Sequence, residues 1–289
     1  MTYAIYALLI YSANTFFPTA LFILLLSLAI WLLFKLKQKA GTLWSALLGV
    51  IFGLGILTVP AILAFIPVAL VWLFFVVDKK GGKFICNAGI IIVAMGLVLS
   101  PWLIRNKKAF NKFPLIATNG GYNFWMGNNP AAKASTGNGI HIPGDLDQQL
   151  SQAKSETEKE RFYYQDAFQF IKKNPSRFIQ LTVLKALNLW RFYPTPDTGY
   201  KILPSLSKIL SVMTYTPVFL LAVFGFILAW TQKKEIILFL LLFISLTATY
   251  ALFITKVRFR LPLDPYLIVL ASYAIAKLSD LKLKVLKMS

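Results

Sequence analysis

The chain has 289 residues, of which 57% are hydrophobic and only 14% charged, with a formal net charge of +19. An ordinary soluble domain carries about 25% charged residues, so the polar surface of a water-soluble fold of this size is missing. The basic excess does not point to nucleic acid either, because the lysines gather in short clusters between apolar runs, the pattern of membrane loops.

At the N-terminus, Thr2 to Phe17 are apolar and aromatic, with no lysine or arginine before them. A signal peptide or first anchor has a basic flank, so the chain reads as though it begins inside a longer protein. Apolar runs long enough to cross a hydrocarbon layer about 30 Å thick then recur, and in lipid such runs must be helical to satisfy their own amides. The expected spans are 19–34, 43–59, 61–77, 84–103, 206–230, 235–254 and 261–277. Basic clusters follow the first span (Lys35, Lys37, Lys39), the third (Lys79, Lys80, Lys83), the fifth (Lys233, Lys234) and the seventh (Lys277, Lys282, Lys284, Lys287). All of them face the cytoplasm in one self-consistent topology. The single cysteine, Cys86, excludes an internal disulfide.

The stretch Phe178–Trp190 is short and is interrupted by Gln180, Lys185 and Asn188, so it is read as an interfacial helix started by Asn174-Pro175. The expected fold is therefore all-α, a polytopic membrane helix bundle of about seven spans with one extracytoplasmic helix-and-loop insert. It divides into N-terminal membrane helices (1–104), the insert with its interfacial helix (105–205) and C-terminal membrane helices (206–289). Inside the insert a Gly/Asn-rich loop, Asn119 to Gly139, precedes a helix expected from Asp147 to Lys173, with one apolar face through Tyr163, Ala167, Phe170 and Ile171.

Positive charge on the outer side runs against the usual bias, which singles out Arg105 and the run Lys256-Val257-Arg258-Phe259-Arg260. Arginine at that boundary suits a lipid phosphate, because its planar fork donates two parallel bonds. The same residues could serve as snorkelling groups bonded to ordinary headgroups or helix ends. The loop Asn119-Gly120-Gly121-Tyr122-Asn123-Phe124-Trp125-Met126-Gly127-Asn128-Asn129 mixes amides with flat rings. That mixture suits a sugar, and it equally suits a buried turn with an aromatic belt. His141, the lone histidine, has no second ligand at a metal spacing, and Asp145 and Asp147 are read as the acidic start of a helix.

The segments Ser100-Pro101-Trp102-Leu103-Ile104-Arg105-Asn106, Ala117-Thr118-Asn119-Gly120-Gly121-Tyr122 and Gly127-Asn128-Asn129-Pro130 resemble bacterial members of glycosyltransferase family 39. This group contains dolichyl-phosphate-mannose–protein mannosyltransferase-like and aminoarabinose-transferase-like proteins of the GT-C superfamily. Three further segments are similar to the same family: Ala167 to Pro175, Lys185 to Trp190, and Arg258 to Pro265. So is Gly49 to Pro60, with Val59 where the family motif has arginine.

The resemblance implies a glycosyltransferase of the bacterial cytoplasmic membrane, moving a sugar from a polyprenyl-phosphate donor to a cell-envelope acceptor. Its partners would be membrane lipid and the polyprenyl-phosphate-linked sugar. Arg258, Arg260 and Arg105 would bind the donor phosphate, and Asn119, Gly120, Gly121, Tyr122, Trp125, Asn128 and Asn129 the sugar or acceptor. No cofactor is identified from the residues, and the family allows a divalent cation.

The family's catalytic aspartate lies in a first external loop that has no counterpart here. The resemblance therefore implies an enzyme incomplete or inactive alone, with a separately encoded N-terminal half as a further partner. The alternative is a non-catalytic polyprenyl-lipid-binding or scaffold protein of envelope glycan assembly.

Overall fold

The computed structural model describes residues 17–77, 82–110, 119–134, 140–193, 204–231 and 233–288. The N-terminal apolar stretch before Phe17, Lys79, Lys80, Thr118 and Asp197 lie outside the described residues. The side chains of Lys233, Lys234, Lys282, Lys284 and Lys287 lie outside them too.

All secondary structure among the described residues is helical. Helix α1 (Thr19–Gln38) ends with Lys35 and Lys37 in its last turn, where cations suit the helix dipole. Helix α2 (Thr42–Thr58) stops where Val59 turns extended before Pro60. A 3₁₀ turn (Pro60–Ala64) leads into α3 (Phe65–Val77), and α4 (Gly82–Phe110) contains Pro101. After the insert come α9 (Pro204–Leu228), α10 (Lys233–Leu252) and, following a second 3₁₀ turn (Val257–Arg260), α11 (Asp264–Met288).

Five helical stretches are long and apolar enough to cross a membrane: Thr19–Gln38, Pro60–Val77, Gly82–Ala109, Lys208–Thr231 and Glu235–Leu252. This is a membrane protein. Two of the expected seven spans fall short of that standard. Helix α2 has only 17 residues, and α11 carries Asp264, Lys277 and Asp280 within its apolar run. The last span also starts later than expected, at Asp264 rather than residue 261, because Val257–Arg260 coil into the 3₁₀ turn.

Glycine sets the closest helix contacts. Gly49 and Gly53, four apart on α2, lie so near α4 that a Cβ at Gly53 would sit 2.8 Å from Val98 Cβ, and one at Gly49 2.7 Å from Ala94 Cβ. Small residues at this spacing let two backbones approach where lipid supplies no hydrophobic drive. Ser45 reinforces the pair by donating to Asn87 Oδ1 at 3.0 Å. The ion pair Lys37–Glu235 joins the end of α1 to the start of α10, so these two termini share one end of the bundle.

The insert contains four helices among its described residues. They are α5 (Gly120–Gly127), α6 (Gly144–Gln152), α7 (Glu156–Lys173) and α8 (Pro175–Leu189). Two expectations change here. The Gly/Asn segment is helical from Gly120 to Gly127 rather than a loop. The helix expected over 147–173 is two helices, because Ser155 caps a new one: its hydroxyl accepts from Glu158 N at 3.3 Å while Glu158 Oε2 accepts from Lys154 N at 2.9 Å.

Candidate functional site

At the end of the bundle opposite Lys37 and Glu235, the insert closes over a cavity of about 1000 Å³. Its floor comes from the start of α1 and from the junction of α2 with the first 3₁₀ turn. One wall is the end of α10 and the segment leading to α11, with Phe253, Lys256 and Arg258. Another part of the lining belongs to the insert, with Asn119, Gly120, Tyr122, Glu160 and Tyr164. Trp102 of α4 completes the rim.

The cations sit among rings. The Arg258 guanidinium lies 4.0 Å over Phe17 and 5.6 Å from the Phe259 ring centre, a placement that favours cations on aromatic faces. Burial lowers the Lys256 pKa, and the charge of Arg258 lowers it further. A bound anion would relieve both effects, since it restores solvation and opposes the arginine.

Glu160 is the only carboxylate among the described residues of the cavity wall. Its Oε1 accepts from the Gly121 amide at 3.3 Å. Burial raises its pKa, partly offset by the Gly121 and Gly120 amides. The glycine pair explains how this acid gets there. A Cβ at Gly120 would meet Tyr164 Oη at 2.8 Å and Glu160 Oε1 at 3.1 Å, and one at Gly121 would meet Glu160 Cγ at 2.9 Å. Only glycine lets α7 approach the start of α5 so closely.

Of the expected donor-phosphate residues, Arg258 alone lines the cavity. Arg260 is 1% exposed and turned away. Its Nε donates to Asp264 Oδ1 at 3.0 Å, one terminal nitrogen donates to Arg191 O at 2.7 Å, and the guanidinium lies 3.5 Å over Tyr215. Alternate positions share a face in a strand, but in a 3₁₀ turn they diverge by about a third of a circle. Arg105 is exposed, bonds Asn106 Oδ1 at 3.2 Å and stacks 5.1 Å over Trp102, one side chain back from the rim.

Of the sugar candidates, Asn119, Gly120 and Tyr122 line the cavity. Gly121 is buried behind them, and Trp125 is buried with its Nε1 donating to Asp166 Oδ2 at 2.8 Å. Asn128 donates to Phe124 O and Leu252 O, both at 2.8 Å, and Asn129 donates to Trp125 O at 2.8 Å, so both tie backbone together. His141 is exposed on the approach to α6.

Lys256 stood out in the sequence only as part of the run Lys256 to Arg260, and two contributors, Glu160 and Lys185, were not selected at all. Lys185 of α8 is fully buried and donates to Gly127 O (3.1 Å), Asn128 Oδ1 (3.3 Å), Leu252 O (3.4 Å) and Phe253 O (3.0 Å). It thereby fastens the C-terminal carbonyls of α5 and α10, two helices whose residues line the cavity.

A protein-held divalent cation wants several oxygen ligands, usually with more than one carboxylate. Among the described residues no group of three or more His, Cys, Asp or Glu could hold a metal, and Glu160 is the single carboxylate in a cavity lined also by two cations. The residues present do not fit such an ion. No family model matches the chain, nor does any curated protein or solved structure.

Proposed function

We propose that this protein is a GT-C-type glycosyltransferase of the bacterial cytoplasmic membrane, with seven spans and the insert 105–205 on the extracytoplasmic side. The cavity takes a polyprenyl-phosphate-linked sugar, whose sugar passes to a cell-envelope acceptor. One observation carries the reading: Lys256 and Arg258 line a largely apolar and aromatic cavity at the end of the bundle away from the Lys37 end. An isoprenoid chain needs apolar walls reaching into the bilayer, and its phosphate needs fixed cations where that surface ends.

As the glycosidic bond breaks, negative charge grows on the phosphate, and Lys256 and Arg258 stabilise it without reorganising. Tyr122 offers a ring face to the sugar and Asn119 an amide to its hydroxyls. A second reading keeps the ligand and drops the chemistry. The cavity's acid is engaged with the Gly121 amide, so the protein would hold polyprenyl-linked sugar for a partner, including a separately encoded half.

The test is equilibrium binding of undecaprenyl phosphate to the full chain in nanodiscs. Lys256→Ala and Arg258→Ala each weaken binding by about 1.5–3 kcal/mol, the range for a charge-assisted bond. A double variant that binds as tightly as the parent refutes the site.

A further inference from the structure

We propose that Glu160 is the catalytic carboxylate of this cavity, supplied by the insert, and that it takes the proton of the acceptor hydroxyl. This rests on the cavity being the sugar-transfer site. The resemblance implies an enzyme incomplete alone because the family's external-loop aspartate has no counterpart here, and it sets the acids of the insert, Glu156 to Glu160 among them, aside.

The plain alternative is that Glu160 only caps α5, whose first amides it meets. Two observations go against a purely local cap. Asn119 occupies the N-cap position of α5, yet its side chain makes no capping bond and it lines the cavity instead. A carboxylate 39 positions away in sequence takes over one amide, and Gly121 beside it leaves no room for a Cβ, which would lie 2.3 Å from the Glu160 carbonyl oxygen. An asparagine cap would have done this work with no half-buried charge. What the distant acid adds is a titratable group in the cavity that Lys256 and Arg258 also line.

Burial raises the pKa of Glu160, which moves a carboxylate towards the strength a general base needs. The charges are divided accordingly, with the base on the insert wall and the cations on the α10–α11 wall. The acceptor oxygen forms a bond to the anomeric carbon as its proton passes to Glu160. The bond from that carbon to the phosphate oxygen breaks, its electron pair staying on the phosphate beside Lys256 and Arg258. With water as acceptor the same step releases free sugar.

The experiment uses the full chain in nanodiscs with a panel of undecaprenyl-phosphate hexoses and pentoses labelled in the sugar. Release or transfer of label is followed, alongside binding of undecaprenyl phosphate. Glu160→Gln keeps an oxygen for the Gly121 amide, so a mere cap survives it. The expected result is turnover reduced at least about 100-fold, the lower bound for general acid–base catalysis, with affinity changed less than about threefold. The rise of turnover with pH through the carboxylate's titration disappears in Glu160→Gln and is kept, displaced, in Glu160→Asp.

Turnover by Glu160→Gln within threefold of the parent overturns the assignment. So does a parent that binds undecaprenyl phosphate and turns over none of the panel. Failure to bind at all overturns the cavity reading instead. If Glu160→Gln does not fold, the displaced pH profile of Glu160→Asp decides, and an unshifted profile sinks the proposal.

Discussion

Replacing Lys185 by methionine removes the ammonium while keeping most of the buried stem. Its two shortest bonds, to Phe253 O at 3.0 Å and Gly127 O at 3.1 Å, are charge-assisted. Methionine leaves those two carbonyls without their donor, at about 1–3 kcal/mol for each buried acceptor left unpaired, so the loss is about 2–6 kcal/mol. Whole domains are stable by only about 5–15 kcal/mol, so a loss of this size frees the insert from the bundle well below global unfolding.

The assay is amide hydrogen exchange in nanodiscs, read at residues 120–129 and 249–256 against α4 as an internal reference. Both segments lose protection together in Lys185→Met, and α4 does not change. Burial pushes the Lys185 pKa down to about 8 from 10.5. Between these values the unfolded segment holds the proton and the folded one does not, so local stability rises with pH across that window. The rise amounts to about 3 kcal/mol in total, and Lys185→Met lacks it. A folded Lys185→Met with unchanged protection in both segments, at pH 7 and pH 10 alike, refutes the clamp.

Two further outcomes are expected. Asp264→Asn leaves the Arg260 guanidinium buried against a neutral partner and lowers stability by about 3–5 kcal/mol in thermal unfolding, whereas replacing Arg260 and Asp264 together by apolar residues costs less than either single change; additive losses would contradict a coupled pair. Gly127→Ala drives a methyl into the Phe253 carbonyl and to 3.1 Å from Lys185 Nζ, costing about 1–3 kcal/mol in the same exchange experiment, while Gly144→Ala, which meets nothing within 4 Å, is neutral.

The membrane helices were legible because hydropathy accumulates along a local run and lipid leaves a spanning run no conformation but the helix. The expected span 19–34 became Thr19–Gln38, and 235–254 became Lys233–Leu252. Two local signals were present and went unread. Ser155-Glu156-Thr157-Glu158 is a capping box that breaks the long helix of the insert, and Gly49 with Gly53 marks the α2–α4 contact. The segment Gly120–Gly127 misled for a specific reason. Two glycines suggest a turn, but here they are small because another helix lies against them.

The site was legible only in part. Arg258, Asn119, Gly120 and Tyr122 stood out by residue type and do line one cavity. Arg260 stood out for the same reason and is buried in an ion pair, because the chain around it coils where an extended run was assumed. Nothing local distinguishes Glu160 from Glu156 and Glu158 in the same acidic run, and nothing local says that Lys185 is dry.

By itself the sequence determined that this chain lives in a membrane, where its helices run, and which residue types are out of place at their ends. Those properties depend on each segment's own free energy in lipid. Tertiary structure alone decided which charges meet. Glu160 reaches the cavity across 39 positions, and Lys185 reaches the end of α10 across 68. Whether a charge is a ligand, a clamp or a solvated surface group depends on the dielectric and partners that distant segments bring to it, and no local pattern encodes either.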